Sequence, residues 1–150
     1  MFKKIIPMIL VLSSVLSSII PAFAETGFSD MPKSDYWSYK ALNEAINNGL
    51  IHGYNGKLNP ANNVTRAQVA TIINNVFGAK EAADISKFKD VPDNTWYANE
   101  MAKAFNMKTF TGVSSDKLAP LSYATRQEIF CVIAKALKLK GGDIKVLDKF

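Results

Sequence analysis

Two arginines with the chemistry to bind an anion occur at matching places in the sequence. Arg66 and Arg126 lie sixty residues apart, and each follows a threonine just ahead of an apolar helical pattern. A positive side chain in the first turn opposes the helix dipole, so helix stability alone favours another residue there. An anion bound at this position would contact free helix amides and the guanidinium together. One alternative is an arginine that only water solvates. The other is a salt bridge to Asp30, Asp90 or a neighbouring acid, formed between the two similar halves of the sequence.

The residues on either side of each arginine have the pattern of a helix capping box. Thr65 and Gln68, like Thr125 and Glu128, fit the S/T-x-x-E/Q spacing. In this motif the threonine oxygen accepts from the third helical amide, and the Gln or Glu side chain accepts from the threonine amide. Losing such a cap typically costs about 1 kcal/mol. These four residues therefore need no ligand to explain them.

Two further pairs of residues are candidates for contact with a ligand. Trp37 and Trp96, which lie fifty-nine residues apart, are each predicted to begin a helix that precedes the arginine helix. We expect them to be core aromatics, and the alternative is a stacking surface for a sugar ring. Asp30 and Asp90 are either turn or cap residues or acceptors for ligand hydroxyl groups.

The chain has one histidine, His52, and one cysteine, Cys131. This inventory excludes an intramolecular disulfide, and it argues against a zinc site and a Ser-His-Asp triad. Cys131 lies in an apolar helical stretch, where we expect a small buried hydrophobe. The sequence predicts no metal, no cofactor and no catalytic residues.

An internal repeat places all of these residues on two copies of one unit. Residues of the same type recur at intervals of fifty-nine or sixty, among them Phe28 and Phe88, Trp37 and Trp96, Gly53 and Gly112, and Pro60 and Pro120. The copies cover residues 28–78 and 88–139, with a linker at 79–87 and a tail at 140–150. Each copy reads as helix, loop, helix, and the second helix has an apolar stripe at spacings 0, 3, 4, 7 and 8. Because neither copy buries enough surface alone, we expect an all-α assembly in which the copies pack stripe against stripe.

The ends of the first helices and the N-terminus add two expectations. Gly49 is a plausible stop for the first helix, whereas Lys108 at the matching place must end the turn differently or adopt a strained backbone. Residues 1–24 have the pattern of a secretory signal peptide cleaved before Glu25; the alternative is an uncleaved membrane anchor. After cleavage no transmembrane segment is expected, and the net charge is 18 − 2 − 13 = +3. This mild excess suits an anionic polymer, and secretion argues against nucleic acid.

Together these motifs resemble the S-layer homology (SLH) family. The resemblance rests on "FSDMP" and "FKDVP", the tryptophans, the mid-loop glycines, the proline before the second helix and the Thr-Arg signature. It implies a non-catalytic anchor built as a threefold spindle of motifs, whose grooves bind secondary cell-wall polysaccharide attached to peptidoglycan. The implied ligand is anionic, often a pyruvylated sugar end, and the implied contact in each copy is its arginine. By motif matching, the other groove candidates are Asp30, Trp37 and Gly53, with Asp90, Trp96 and Gly112.

The sequence departs from the family pattern at three places. Gln68 replaces the usual glutamate, Lys108 replaces the usual glycine, and only two motifs are complete, with Phe150 placed where a third would begin. We expect a fragment of a longer surface protein, with further SLH motifs as partners; the alternative is a short protein that associates. Two other functions stay open. One is a calcium-dependent dockerin-like module, although the required oxygen-rich loop is not matched. The other is an enzyme whose activity lies in a further region.

Overall fold

The computed structural model describes residues 27–141, and the regular structure of this part of the chain is helical. Its helices are α1 (Tyr39–Asn47), α2 (Arg66–Phe77), α3 (Ala98–Asn106) and α4 (Arg126–Ala136). No strand is present in this part, so the predicted all-α class is confirmed. Within these residues no helix combines the length and apolar character needed to cross a membrane. The predicted signal peptide and residues 142–150 lie outside the described part.

Both predicted capping boxes are formed, and they fix where the second helix of each repeat begins. The amide of Thr65 donates to Gln68 Oε1 at 2.8 Å, and the amide of Gln68 donates to Thr65 Oγ1 at 3.3 Å. In the second repeat the amide of Thr125 donates to Glu128 Oε2 at 2.8 Å, and the amide of Glu128 returns to Thr125 Oγ1 at 3.2 Å. Glutamine and glutamate thus serve equally well as the third helical residue of the box.

The first helix of each repeat ends in the same left-handed turn, although the residues differ. Gly49 has φ of 66° and Lys108 has φ of 61°. The residue after each one donates its amide back to the helix, Leu50 to the Ala45 carbonyl and Thr109 to the Ala104 carbonyl. Of the two predicted outcomes for Lys108, the structure therefore has the strained backbone. The left-handed conformation costs lysine more free energy than it costs glycine.

The hydrophobic core lies between the two repeats. Helix α2 packs against α3 and α4, and α1 lies outside this core. The buried residues that form it are Ala67, Val69, Ala70, Ile73, Phe88, Val91, Tyr97, Met101, Ala104, Phe110, Leu118 and Val132. Asn74 of α2 joins the same interface, because its Nδ2 donates to the backbone oxygen of Glu100 at 2.9 Å. The predicted packing of the copies is thus observed for Val69 and Ile73 of the α2 stripe, whereas Val76 and Phe77 of the same stripe are exposed, and α2 packs mainly on α3 rather than on the stripe of α4.

The matching face of α4 is exposed. Ala70 and Ile73 of α2 are buried, whereas Phe130 and Ile133, sixty residues later, are 63% and 38% exposed. The reason is positional: the second repeat covers α2, and no further repeat covers α4 within residues 27–141. Two copies of one sequence pattern therefore have different surroundings.

Candidate functional site

A cleft of about 200 Å³ lies at the junction of the two repeats. It is lined by Arg66 from the start of α2, by residues 109–113 of the loop after α3, and by Glu128, Cys131, Val132 and Lys135 of α4. The capping boxes position Arg66 and Glu128, and the left-handed turn at Lys108 directs the loop across them. The second repeat therefore forms most of the cleft, and Arg66 is the lining residue that the first repeat contributes.

Arg66 is buried in this junction and is satisfied by the second repeat. Its Nε donates to the Leu118 backbone oxygen at 3.0 Å, and its Nη2 donates to the Thr111 backbone oxygen at 3.3 Å. Its Nη1 forms an ion pair with Glu128, and the guanidinium lies 5.0 Å from the centre of the Phe110 ring. The structure thus has the predicted inter-copy salt bridge, with Glu128 as the partner rather than Asp30 or Asp90.

The amides at the start of α2 are also occupied. The amide of Arg66 donates to the Ser122 carbonyl and that of Ala67 donates to the Pro120 carbonyl, each at 2.9 Å. The third amide, that of Gln68, is held by the capping box. The expectation of free amides around Arg66 is therefore wrong, because the loop of the second repeat supplies carbonyl acceptors to them.

Arg126 has the opposite environment. Its side chain is exposed and, within residues 27–141, forms no hydrogen bond or ion pair. The amides of Arg126 and Gln127 likewise have no acceptor in that range. The combination of free amides and a free guanidinium predicted for both copies is thus observed only at α4.

Glu128 joins the helix cap to the inter-repeat contact. One carboxylate oxygen accepts from Thr125 and the other pairs with Arg66. The hydrogen bond from the Thr125 amide is the main cause that lowers the pKa of Glu128, with the positive charge of Arg66 adding to it against the opposing effect of burial. The carboxyl group is therefore ionised at neutral pH and offsets the charge of Arg66.

Asp30 and Asp90 hold the loop that precedes each second helix. Asp30 accepts from the amides of Leu58 and Asn59 at 2.8 and 2.7 Å. Asp90 accepts from the two matching amides, at 3.0 and 2.7 Å. The hydrogen bond from Leu58 is the main cause that lowers the pKa of Asp30. Both aspartates therefore have the predicted turn or cap role, and neither lines the cleft.

The two glycines are required by close packing against a phenylalanine ring and a backbone oxygen. A Cβ on Gly53, whose φ is +60°, would overlap the Phe28 ring and lie 2.6 Å from the Lys57 oxygen. A Cβ on Gly112 would lie 2.5 Å from the Ser114 oxygen and 3.0 Å from the Phe88 ring. Gly112 lines the cleft and Gly53 does not.

The tryptophans are not core residues. Trp37 is 83% exposed and Trp96 is 60% exposed. Each lies two residues before the first helix of its repeat rather than within it. The expectation of core aromatics is wrong, because Phe88, Met101 and Phe110 fill the interior instead. The alternative, a surface for stacking on a sugar ring, is compatible with this exposure.

Sequence reasoning missed several residues of the cleft, above all Cys131 and Lys135. Cys131 was expected to be buried, but it is exposed, because its part of α4 borders the cleft instead of the core. A signal was present in the spacing: Glu128, Cys131, Val132 and Lys135 lie at intervals of 0, 3, 4 and 7 and so share one helical face. Nothing in the sequence indicated that this face borders Arg66.

Comparison with known proteins agrees with the repeat and with its motifs. A sequence profile of the S-layer homology domain matches residues 27–70 and 87–130. The chain is 32% identical to the Surface-layer 125 kDa protein of Lysinibacillus sphaericus, over 87% of this chain and 11% of that protein. It is also 32% identical to the Cell surface protein of Thermoanaerobacter kivui, over 94% of this chain and 19% of that protein.

An exoglucanase also has a similar region. The Exoglucanase XynX of Acetivibrio thermocellus is 25% identical over 75% of this chain and 10% of its own length. The chain thus spans about a tenth to a fifth of the length of these relatives. Because the profile matches both repeats, including α1, α3 and both capping boxes, the chain belongs to the S-layer homology domain family.

Proposed function

We propose that this chain is a non-catalytic anchoring module that binds an anionic secondary cell-wall polysaccharide without a covalent bond. The observation that carries the proposal is the cleft between two S-layer homology repeats, lined by the side chains of Arg66 and Lys135. The similarity to surface-layer and cell-surface proteins supports a place at the outer surface of a bacterial cell wall. Similarity to an exoglucanase over one-tenth of its length supports a module separate from the catalytic part.

The size of the cleft favours a small part of a polymer as the group that enters it. Pockets that enclose drug-sized ligands measure roughly 300–1,000 Å³. A cleft of about 200 Å³ suits one sugar ring or its charged substituent. A terminal sugar with a pyruvate ketal has this size and charge. Arg66 uses three of the five N–H groups of a guanidinium within the protein, so two remain for such a ligand.

A further S-layer homology motif is the proposed partner of α4. Arg66 and the apolar face of α2 are covered by the second repeat, and the matching residues Arg126, Phe130 and Ile133 are exposed. A motif packed on α4 as the second repeat packs on α2 would satisfy Arg126 and create a second groove, as in a threefold spindle. The exposed Trp37 and Trp96 are proposed contacts for sugar rings near these grooves.

Binding to purified cell-wall sacculi tests the proposed function. The full chain is mixed with sacculi of Lysinibacillus sphaericus, either intact or stripped of their wall polysaccharide by acid. We expect sedimentation with intact sacculi, loss of sedimentation with stripped ones, and no effect of a calcium chelator. Equal binding to both preparations would refute polysaccharide recognition, and loss of binding on chelation would favour a calcium-dependent docking module instead.

A further inference from the structure

The cleft between the repeats has three charged side chains in its lining, and they do not contribute equally. Arg66 and Glu128 form an ion pair with each other, so their charges offset. Lys135 is exposed, and its amino group forms no ion pair or hydrogen bond within residues 27–141. The net charge of the lining is therefore +1, and Lys135 supplies it.

Comparison with the first repeat indicates that Lys135 has no structural role of the kind seen there. The matching residue is Asn75, whose Nδ2 donates to the Leu50 backbone oxygen at 3.3 Å and so ties α2 to the end of α1. Lys135 has no acceptor of this kind, although the second repeat contains the same turn after α3. The lysine thus replaces a local contact with a charge placed at the rim of the cleft.

The capping boxes show the same difference between the repeats. The first repeat forms its box with Gln68 and the second forms its box with Glu128. Because glutamine also closes the box, the hydrogen bonds of the cap do not require the negative charge of Glu128. The Glu128 charge offsets the charge of Arg66. Lys135 is then the lining residue whose charge distinguishes charged from neutral ligands.

We infer that Lys135 is the specificity-determining residue of this cleft, which selects an anionic over a neutral sugar. This inference rests on the proposed function and names the residue that attracts the anionic group. Arg66 lines the cleft and bonds the first repeat to the second. The flexible stem of Lys135 allows its amino group to meet the carboxylate of a ligand in the cleft.

A charge series at the cleft tests the inference. Lys135→Gln lowers the net charge of the lining from +1 to 0, and Glu128→Gln raises it to +2 while keeping the capping box. Each step adds or removes one charge near the ligand, so it should change affinity for intact sacculi by about two- to fivefold. We expect weaker binding for Lys135→Gln, stronger binding for Glu128→Gln, and near wild-type binding for Lys135→Arg.

Lys140→Gln is the matched control, because it removes one exposed lysine that does not line the cleft. Urea unfolding of each variant separates binding from stability. If Lys135→Gln and Lys140→Gln weaken binding equally, or if neither does, the inference is overturned while the proposed function stands. If the wild-type chain binds intact and stripped sacculi equally, the proposed function itself fails.

Cys131 provides a direct measure of whether the cleft is occupied. It is exposed, it lines the cleft, and it is the only cysteine in the chain. Wall polysaccharide released from sacculi by acid should slow the reaction of Cys131 with a thiol reagent, and Lys135→Gln should require more polysaccharide for the same protection. An unchanged labelling rate under conditions where the polysaccharide is bound would overturn the location of the site.

Discussion

Replacement of Arg66 by alanine should destabilise the protein, whereas the same change at Arg126 should not. The two arginines occupy matching positions in the repeat, yet Arg66 is 6% exposed and bonded to the second repeat, and Arg126 is exposed. Arg66→Ala removes an ion pair, two hydrogen bonds to backbone oxygens and a contact with the Phe110 ring. The difference between the two variants therefore measures the contribution of the inter-repeat contact.

The expected magnitude follows from the groups that lose a partner. Removing one member of a buried ion pair costs about 3–5 kcal/mol. The Glu128 side chain is 36% exposed, so water can solvate its carboxylate and reduce that cost. The Leu118 oxygen is buried with its residue and would lose a charged donor, at about 1–3 kcal/mol. We expect a loss of about 2–4 kcal/mol for Arg66→Ala, against at most about 0.5 kcal/mol for Arg126→Ala.

Thermal and urea unfolding followed by circular dichroism at the helix band measure both values. For a chain of this size a loss of about 2–4 kcal/mol corresponds to a fall of roughly 8–16 °C in Tm. Arg66→Lys keeps the charge but lacks the planar fork, so it should still lose at least about 1 kcal/mol. Equal stability of Arg66→Ala and Arg126→Ala would refute the reasoning. Because Arg66 supports the fold, Arg66→Ala can lose wall binding through unfolding alone. Its stability must therefore be measured before a loss of binding is assigned to the cleft.

Three further predictions concern the turns and loops of the repeats. Lys108→Gly removes the backbone strain of a side chain in the left-handed conformation, so it should stabilise the chain by about 0.5–1 kcal/mol in urea unfolding. Gly49→Ala introduces the same strain and should destabilise the chain by about as much. Gly53→Ala should cost at least about 2 kcal/mol, because its Cβ overlaps Phe28. Gly56→Ala, with no atom within 4 Å, should cost only about 1 kcal/mol, and equal losses would contradict the packing argument. The folded-state pKa of Asp30 lies below its ordinary 3.8, so its stabilising effect is full above about pH 4 and lost as the pH falls further. Urea midpoints should therefore fall more steeply below about pH 4 in the wild type than in Asp30→Asn, and parallel curves would contradict this cause.

The local structure of each repeat could be predicted from the sequence because short-range chemistry determines it. The capping boxes, the apolar stripes and the turn at Gly49 depend on residues within one or two helical turns of each other. The sixty-residue repeat then transfers each element to the second copy. The helix-loop-helix units and the all-α class followed from these patterns.

The arrangement between repeats could not be predicted in the same way, because the sequence pattern does not state which face of a helix meets which neighbour. Trp37 was expected in the core, where a large aromatic residue is common, and it is exposed because α1 lies outside the core. Cys131 was expected inside for its apolar neighbours, and it borders the cleft. Both errors have one origin: burial depends on the neighbouring repeat, and in this pair α1 lies outside the core while α4 contributes only part of its surface to it.

The same origin explains why one dipeptide has two roles in this chain. The Thr-Arg pair starts a helix in both repeats, and the threonine does so identically in each. The partners of the arginine depend on the next repeat. Arg66 bonds to the Leu118 oxygen and to Glu128, whereas Arg126 forms no hydrogen bond or ion pair with a described residue. An arginine at a helix start, unfavourable for the helix alone, becomes favourable when a neighbouring loop supplies carbonyl and carboxylate oxygens. The residue free to recognise a ligand is then the one that the neighbour leaves unpaired, which in this cleft is Lys135.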